Sequence, residues 1–95
     1  MIYELLPAGR ENAITSRHLC RMLGIDRRTL TAEIERERRA GCPICASVDC
    51  TCPGFYHPES PADVLSYCRS LEGREREISR TRAALLAAAE KMVTE

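Results

Sequence analysis

The chain has 95 residues, which is enough for one domain with a single core and too few for a large enclosed active site. It carries 14 basic and 14 acidic residues, so its net charge of zero does not by itself indicate a nucleic-acid partner. The first residues lack the basic start and the continuous apolar stretch of a signal peptide, and no segment approaches the roughly 18 apolar residues of a membrane span. We therefore expect a cytoplasmic protein without a membrane partner.

Two predicted elements precede the first long apolar pattern. Residues 2–6 can form a short helix that ends at Pro7-Ala8-Gly9, because proline and glycine interrupt helices. Residues 12–14 are predicted to be a short extended piece.

Residues 16–41 predict two amphipathic helices joined by a tight turn. Thr15 or Ser16 can cap the first helix, which runs to about Leu23, and Gly24 permits the left-handed turn that ends it. The apolar residues of this helix stand at spacings of three and four and should face the core: Leu19, Met22 and Leu23.

The second helix is predicted from a capping Asp26 to about Ala40, with Gly41 after it. Leu30 and Ile34 should face the core. Between residues 16 and 41, seven arginines stand against four acidic residues, so a basic surface is possible within a neutral protein. Arginine suits bidentate contacts to phosphate and guanine, although the same preference for arginine can reflect a GC-rich genome. The residues predicted to point outward are Arg28, Thr31, Glu35 and Arg39.

A β-hairpin is predicted after the second helix, with a loop over residues 46–54 and Gly54 at the return. Pro43 and Pro58 mark its outer ends, where a missing backbone donor is best tolerated. Phe55 should anchor the hairpin to the core.

The last element is predicted to be one helix from Pro61 to about Thr94, with Ser60 as its cap. At about 1.5 Å per residue it is roughly 50 Å long. Its apolar residues recur every seven positions, at Val64, Leu71, Ile78, Leu85 and Met92. This pattern is half of a coiled-coil seam. It predicts that residues 61–95 first pack on a domain of residues 1–60 and then pair with a second copy through residues 78–92; the alternative is an exposed helix that frays.

Four local motifs stand out along the chain: Glu11-Asn12-Ala13-Ile14, Leu23-Gly24-Ile25, Arg36-Glu37-Arg38-Arg39-Ala40-Gly41 leading into Pro43-Ile44-Cys45-Ala46-Ser47, and Gly54-Phe55-Tyr56-His57-Pro58-Glu59. They resemble motifs of winged helix-turn-helix proteins. Over roughly residues 5–71 the chain resembles a prophage-type family of small winged-helix proteins, and it is similar to the DNA-binding domain of the biotin-operon repressor. The resemblance implies a mainly α-helical fold with a small β-hairpin, and a transcriptional regulator or replication accessory. It also implies that helix 26–40 lies in the major groove of double-stranded DNA and that the hairpin contacts flanking backbone or minor groove.

The residue types agree with that expectation, because a helix fits the major groove and side chains in its N-terminal half reach base edges. Arg28 can pair with guanine, and Thr31 can touch a thymine methyl or a phosphate. The other arginines would contact phosphates, which position the protein rather than specify a sequence. The predicted DNA-binding residues are Arg17, Arg27, Arg28, Thr31, Arg36 and Arg39.

The alternative for these arginines is that they form surface ion pairs, such as Arg39 with Glu35 four residues earlier. Glutamates on the same helix also weigh against DNA, because a carboxylate repels phosphate. They are Glu33, Glu35 and Glu37.

A second candidate site is a cluster of four cysteines within residues 42–52, with His57 five residues after the last of them. Zinc takes four tetrahedral nitrogen or sulfur ligands, so these thiols can hold zinc. The CxC spacing suits a single ion poorly, and plain thiols or a redox-sensitive pair remain alternatives. The predicted metal ligands are Cys42, Cys45, Cys50 and Cys52. The remaining cysteines, Cys20 and Cys68, are predicted to be buried on apolar helix faces.

No catalytic constellation is visible in the sequence. His18 is expected at the surface, and the nearest candidate partners of His57 are cysteines, without an orienting group or a phosphate-binding glycine loop. We therefore expect a DNA-binding protein rather than an enzyme, with no small-molecule substrate and no cofactor other than possible zinc. The alternatives are a protein-interaction module that uses the long C-terminal helix, or a zinc- or thiol-dependent sensor.

Overall fold

The computed structural model describes residues 1–47 and 51–94. Over these residues the chain is mainly helical, with a small two-stranded antiparallel hairpin and a long C-terminal helix, which confirms this part of the expected fold class. Two compact units divide the chain, Met1–Val64 and Leu65–Glu95. The elements are two 3₁₀ helices at Tyr3–Leu5 and Arg10–Asn12, then α1 at Ser16–Leu23, α2 at Arg27–Arg39, β1 at Cys45–Ser47, β2 at Gly54–Tyr56 and α3 at Pro61–Thr94.

The caps predicted for α1 and α2 are present. Thr15 accepts a hydrogen bond from the backbone N–H of His18 at 3.2 Å, and Asp26 accepts one from the N–H of Thr29 at 2.7 Å. Each bond satisfies one of the free N–H groups at a helix N-terminus. Gly24 ends α1 with φ at 65°, the left-handed conformation that glycine adopts without steric penalty.

The core of the first unit lies between α2, α1 and the segments on either side of them. Its buried members are Ile2, Leu6, Leu19, Leu30, Ile34 and Ile44. Leu30 and Ile34 are therefore inward, as predicted, and Phe55 packs against the cluster as expected for the hairpin anchor. Met22 and Leu23 were expected to face the core, and this is wrong: they are 52% and 37% exposed. Leu19 is the buried residue of α1, and the partly buried Cys20 and Ile25 border the core there instead.

The first residues are more irregular than the sequence predicts. A single turn of 3₁₀ helix at Tyr3–Leu5 replaces the expected helix over residues 2–6. Residues 10–12 form a second 3₁₀ turn, so only the end of the predicted extended piece pairs as a strand. Ile14 does so by exchanging two backbone hydrogen bonds with Phe55, at 2.9 and 2.8 Å.

The hairpin sits directly against this extended residue. Its register pairs Cys45 with Tyr56, Ala46 with Phe55 and Ser47 with Gly54. Gly54 has φ at 122°, and a Cβ atom there would overlap the carbonyl of Ile14 and lie 2.7 Å from the backbone nitrogen of Thr15. Only glycine allows this approach of the two backbones. The tip of the predicted wing, residues 48–50, lies outside the described residues.

The second unit contains only α3 among the described residues. The helix is continuous over the predicted range, and its large aliphatic residues beyond Val64 are exposed, including Leu65, Leu71 and Ile78. Cys68 was expected to be buried, and this is wrong, because a single helix has no second element to cover its apolar face. No helix in the described part of the chain combines the length and apolarity that crossing a bilayer requires.

Candidate nucleic-acid interface

One face of α2 holds it in the core and the other face is left for solvent. The buried residues are Leu30, Ile34 and Glu37, at spacings of four and three. Arg27, Arg28 and Thr31 lie on the exposed face, in the N-terminal half of the helix. The hydroxyl of Thr31 donates to the carbonyl of Arg27 at 2.9 Å. Because that proton is used within the helix, contact with a thymine methyl suits Thr31 better than donation to a phosphate.

The predicted arginines in the C-terminal half of α2 are already paired. Arg36 makes a two-pronged contact with Glu33, with its Nε 3.0 Å from Oε1 and its Nη2 bonded to Oε2. The pKa of Glu33 is lowered to about 2, mainly by the hydrogen bond from the Arg36 guanidinium and with a smaller contribution from Glu37. Arg39 lies 3.7 Å from Glu35, which is the ion pair that the sequence offered as the alternative to DNA contact. Both pairs are at the surface.

The arginines of α1 and of the start of α2 differ from Arg36 and Arg39 in their ion pairing. Arg17, Arg27 and Arg28 are exposed, and none has an ion-pair partner among residues 1–47 and 51–94. Arg21 has the same character, although the sequence interpretation left it out. Its signal was its spacing of four from Arg17, which places both on the same side of α1. We call Arg17, Arg21, Arg27 and Arg28 the free arginines.

The first turn of α2 is an unusual place for two arginines. A helix N-terminus carries partial positive charge, so acidic side chains stabilise it and basic ones oppose it. This turn contains Arg27 and Arg28 and no acidic residue. The capping carboxylate of Asp26 offsets part of that charge, and its hydrogen bonds with Thr29 lower its pKa. Helix stability therefore does not explain Arg27 and Arg28.

Charge is thus distributed unevenly along the helix pair. Residues 15–31 contain the four free arginines against the single acid Asp26. Residues 33–39 balance Arg36, Arg38 and Arg39 against three glutamates. The net positive charge is confined to α1, the turn and the first half of α2.

Glu37 does not belong to the exposed acidic residues, contrary to the expectation that it repels phosphate. It is fully buried, and its carboxylate accepts hydrogen bonds from the backbone N–H groups of Ile2 at 2.9 Å and Tyr3 at 2.8 Å. These are donors at the start of the first 3₁₀ helix, so Glu37 ties the beginning of the chain to α2. Its spacing from Leu30 and Ile34 placed it on the buried face, which is the signal that sequence reasoning missed.

Arg38 has a structural position as well. Its Nε donates to the carbonyl of Ile44 at 2.9 Å, and its Nη1 lies 3.2 Å from Glu35. The side chain therefore joins α2 to the segment that enters β1. Arg38 is less available to a ligand than the free arginines, because most of its surface is covered.

Three of the predicted zinc ligands, Cys42, Cys45 and Cys52, lie in or next to the hairpin strands. Cys45 is buried, Cys42 and Cys52 are half-buried, and Cys50 lies outside the described residues. Within the described ranges, no three residues among His, Cys, Asp and Glu are grouped so that they could hold a metal ion. Zinc at these cysteines therefore stays a prediction.

His57 has a partner other than the expected cysteines. Its ring stacks on Tyr3 with centroids 4.0 Å apart, and its Nε2 is hydrogen-bonded to the carbonyl oxygen of Tyr3. The contact crosses 54 positions of sequence, so it belongs to the packing of the chain start against the end of β2. His18 is exposed, as expected.

The free arginines are the feature of this unit that folding explains least, and they form the candidate interface. They lie on two helices that are joined by a short turn and pack against each other. Comparison with known proteins supplies no relative: no protein-family model, no curated protein and no solved structure matches this chain.

Proposed function

We propose that this chain is a small winged helix-turn-helix DNA-binding protein of the prophage type, acting in the cytoplasm as a transcriptional regulator or a replication accessory. In this assignment α1 and α2 are the helix pair, α2 enters the major groove, and residues 46–54 form the wing. The order of elements supports it, as does the bridge between Ile14 and Phe55, which adds a third short extended segment to the hairpin. The short helix expected before that segment is reduced to 3₁₀ turns.

The observation that carries this proposal is the difference between the two halves of α2. A helix in the major groove contacts base edges with its N-terminal residues. In α2 that half carries arginines that have no ion-pair partner among the described residues, and the other half carries arginines neutralised by Glu33 and Glu35. The unpaired charge therefore lies where a major-groove helix needs it.

The residues then take different roles. Arg28 reads guanine N7 and O6, and the methyl group of Thr31 contacts thymine. Arg17 and Arg21 on α1 contact phosphates, with Arg27 at the start of α2. Arg36 and Arg39 contribute less, because a phosphate contact would replace an existing ion pair and leave a glutamate near the DNA backbone.

A salt series tests the proposal. Duplexes selected from a random pool are titrated with the protein in a mobility-shift assay at several salt concentrations. We expect a retained complex whose affinity falls linearly with salt on logarithmic axes, because each phosphate contact releases counterions with a slope of about −0.9. Absence of any complex at low salt would reject DNA binding.

The assembly proposed with this function is a homodimer that pairs α3 through residues 78–92. Ile78, Leu85 and Met92 recur every seven residues, and each is at least two-thirds exposed in a single chain. Leu86 and Val93 widen the same side of the helix. A soluble monomer seldom exposes an apolar stripe of this length.

The same stripe favours a second candidate function, an interaction module in which α3 docks a different protein and α1–α2 binds nothing. The mobility-shift assay distinguishes the two functions. An interaction module yields no selected duplex at any salt concentration, whereas its α3 would still bind its protein partner.

A further inference from the structure

We propose that α3 pairs with α3 of a second copy as an antiparallel coiled coil centred near Arg80. This orientation rests on the proposed homodimer and is independent of DNA binding. It places Cys68 of each copy beside Met92 of the second copy.

The length and pattern of α3 suit a coiled coil. From Cys68 to Met92 the helix spans about three and a half heptads, the extent over which such a seam is recognisable. Leu71, Ile78, Leu85 and Met92 form one row of the seam, and all are exposed. Between Leu65 and Val93 six basic residues are interspersed with four acidic ones, so each copy carries a net charge of only +2 over this stretch and has opposite charges available for pairing.

The second row of the seam decides the orientation. It is formed by Cys68, Glu75, Arg82 and Ala89, each four residues after a member of the first row. In a parallel coil in register, every residue faces its own counterpart. Glu75 would then face Glu75 and Arg82 would face Arg82 inside the seam, and like charges opposed at an interface are strongly unfavourable.

An antiparallel coil removes both conflicts. Centred on Arg80, it places Arg82 level with Ile78 of the second copy and Glu75 level with Leu85 of the second copy. Arg82 of one copy is then three residues from Glu75 of the other along the axis, about 4.5 Å at 1.5 Å per residue. The two opposite charges pair across the seam, and because the dimer is two-fold symmetric it contains two such ion pairs.

Side-chain size agrees with the same register. Leu71 lies level with Ala89 of the second copy, and Cys68 lies level with Met92 of the second copy, so each large side chain meets a smaller one. The aliphatic part of the Arg82 side chain covers Ile78 of the second copy, while its guanidinium extends to the solvent-facing edge of the seam. Arg80 and Glu77 pair with each other within one helix at 3.0 Å.

Charge reversal tests the orientation without DNA. We expect Arg82→Glu to raise the dimer dissociation constant at least about tenfold in sedimentation equilibrium, because the introduced carboxylate opposes Glu75 of the second copy. The double variant Glu75→Arg with Arg82→Glu should restore the affinity. Equal affinities for wild type, the single variant and the double variant would overturn the proposal, because a parallel seam only exchanges one like-charge contact for another.

Disulfide trapping gives an independent readout. Cys68 is exposed, and in the antiparallel coil the two copies of Cys68 are about 36 Å apart along the axis, so they cannot be linked. After mild oxidation, Met92→Cys should yield an intermolecular disulfide between Cys68 and the introduced thiol in peptide mapping. The control Lys91→Cys should not, because its side chain is rotated about 100° around the helix from that of Met92.

Three outcomes of these measurements contradict the antiparallel coil. They are a Cys68–Cys68 disulfide in wild type, a disulfide between the two introduced thiols in the Met92→Cys variant, and a monomer at all concentrations in sedimentation. A monomer that still binds a selected duplex would overturn the coil and leave the DNA-binding proposal standing.

Discussion

The two long helices of this protein differ in where their apolar residues lie. Both α2 and α3 are rich in arginine and glutamate, but α2 buries Leu30 and Ile34 in a core whereas α3 leaves Ile78 and Leu85 exposed. The first unit therefore contains its own apolar partners, whereas the apolar residues Ile78 and Leu85 of α3 stay exposed in a single chain. Burial follows from the presence of neighbouring elements and not from composition, because α3 is the more apolar helix and is the one whose apolar residues are exposed.

The strongest test of this contrast is a methyl group added to each unit. Gly54→Ala should destabilise the first unit by about 4 kcal/mol or more, because the new Cβ overlaps the backbone at Ile14 and the φ of 122° is strained for alanine. Gly73→Ala is the matched control: among the described residues, a Cβ built there meets nothing within 4 Å beyond the adjoining backbone of its own helix, and alanine favours a helix by about 1 kcal/mol over glycine. Denaturant unfolding followed by circular dichroism measures both. Equal effects would mean that the hairpin does not approach Ile14 closely in solution.

The next test removes the buried carboxylate that joins α2 to the chain start. Glu37→Ala should lower the free energy of unfolding by roughly 2–4 kcal/mol, since the N–H groups of Ile2 and Tyr3 lose their acceptor inside the protein. Glu35→Ala, on the surface of the same helix, should change it by less than about 0.5 kcal/mol. Chemical denaturation of the two variants side by side decides the matter; a mild effect at Glu37 would place its carboxylate in solvent.

The third test compares a free arginine with a paired one on α2. Arg28→Ala should weaken binding to a selected duplex by about 1–3 kcal/mol and relax specificity at one base pair. Arg39→Ala should weaken it less, because Arg39 already lies near Glu35. Fluorescence anisotropy at fixed salt measures both, and unchanged unfolding curves exclude loss of structure. The roles assigned to the two halves of α2 would be incorrect if Arg39→Ala had the larger effect.

The smallest expected effect concerns the Glu33–Arg36 pair. The pKa of Glu33 is lowered from 4.5 to about 2, so the folded state favours the carboxylate. Its stabilisation is therefore present above pH 4.5 and is lost as the pH falls toward 2. The melting temperature of Glu33→Gln should lie slightly below that of wild type at pH 7, and the gap should close on acidification and in high salt. A gap that widens on acidification would contradict the lowered pKa.

Local features of the fold were predictable because their causes are local. The caps Thr15 and Asp26 and the left-handed Gly24 follow from short-range backbone chemistry and are found where predicted. The burial of individual side chains was predicted less well. Met22 and Cys68 occupy apolar positions in a helical pattern, but burial depends on whether another element lies opposite, which a single-helix pattern does not contain.

The candidate site was predictable in part for the same reason. Arginine positions are read directly from the sequence, and the ion pair between Arg39 and Glu35 follows from helical spacing. Glu37 is different, because its partners are the amides of Ile2 and Tyr3, more than thirty positions away. Such a contact exists only once the chain start has folded against α2.

The separation of α2 into a buried face and an exposed face has an evolutionary consequence. Leu30, Ile34 and Glu37 anchor the helix, while Arg27, Arg28 and Thr31 take no part in the core. Substitutions at these three outward positions are therefore nearly neutral for folding, and selection can vary them independently of the scaffold. Under the proposed function, a lineage carrying this protein can acquire a new target by exchanging a few solvent-facing side chains. An engineer can randomise the same positions in a library without first restabilising the protein.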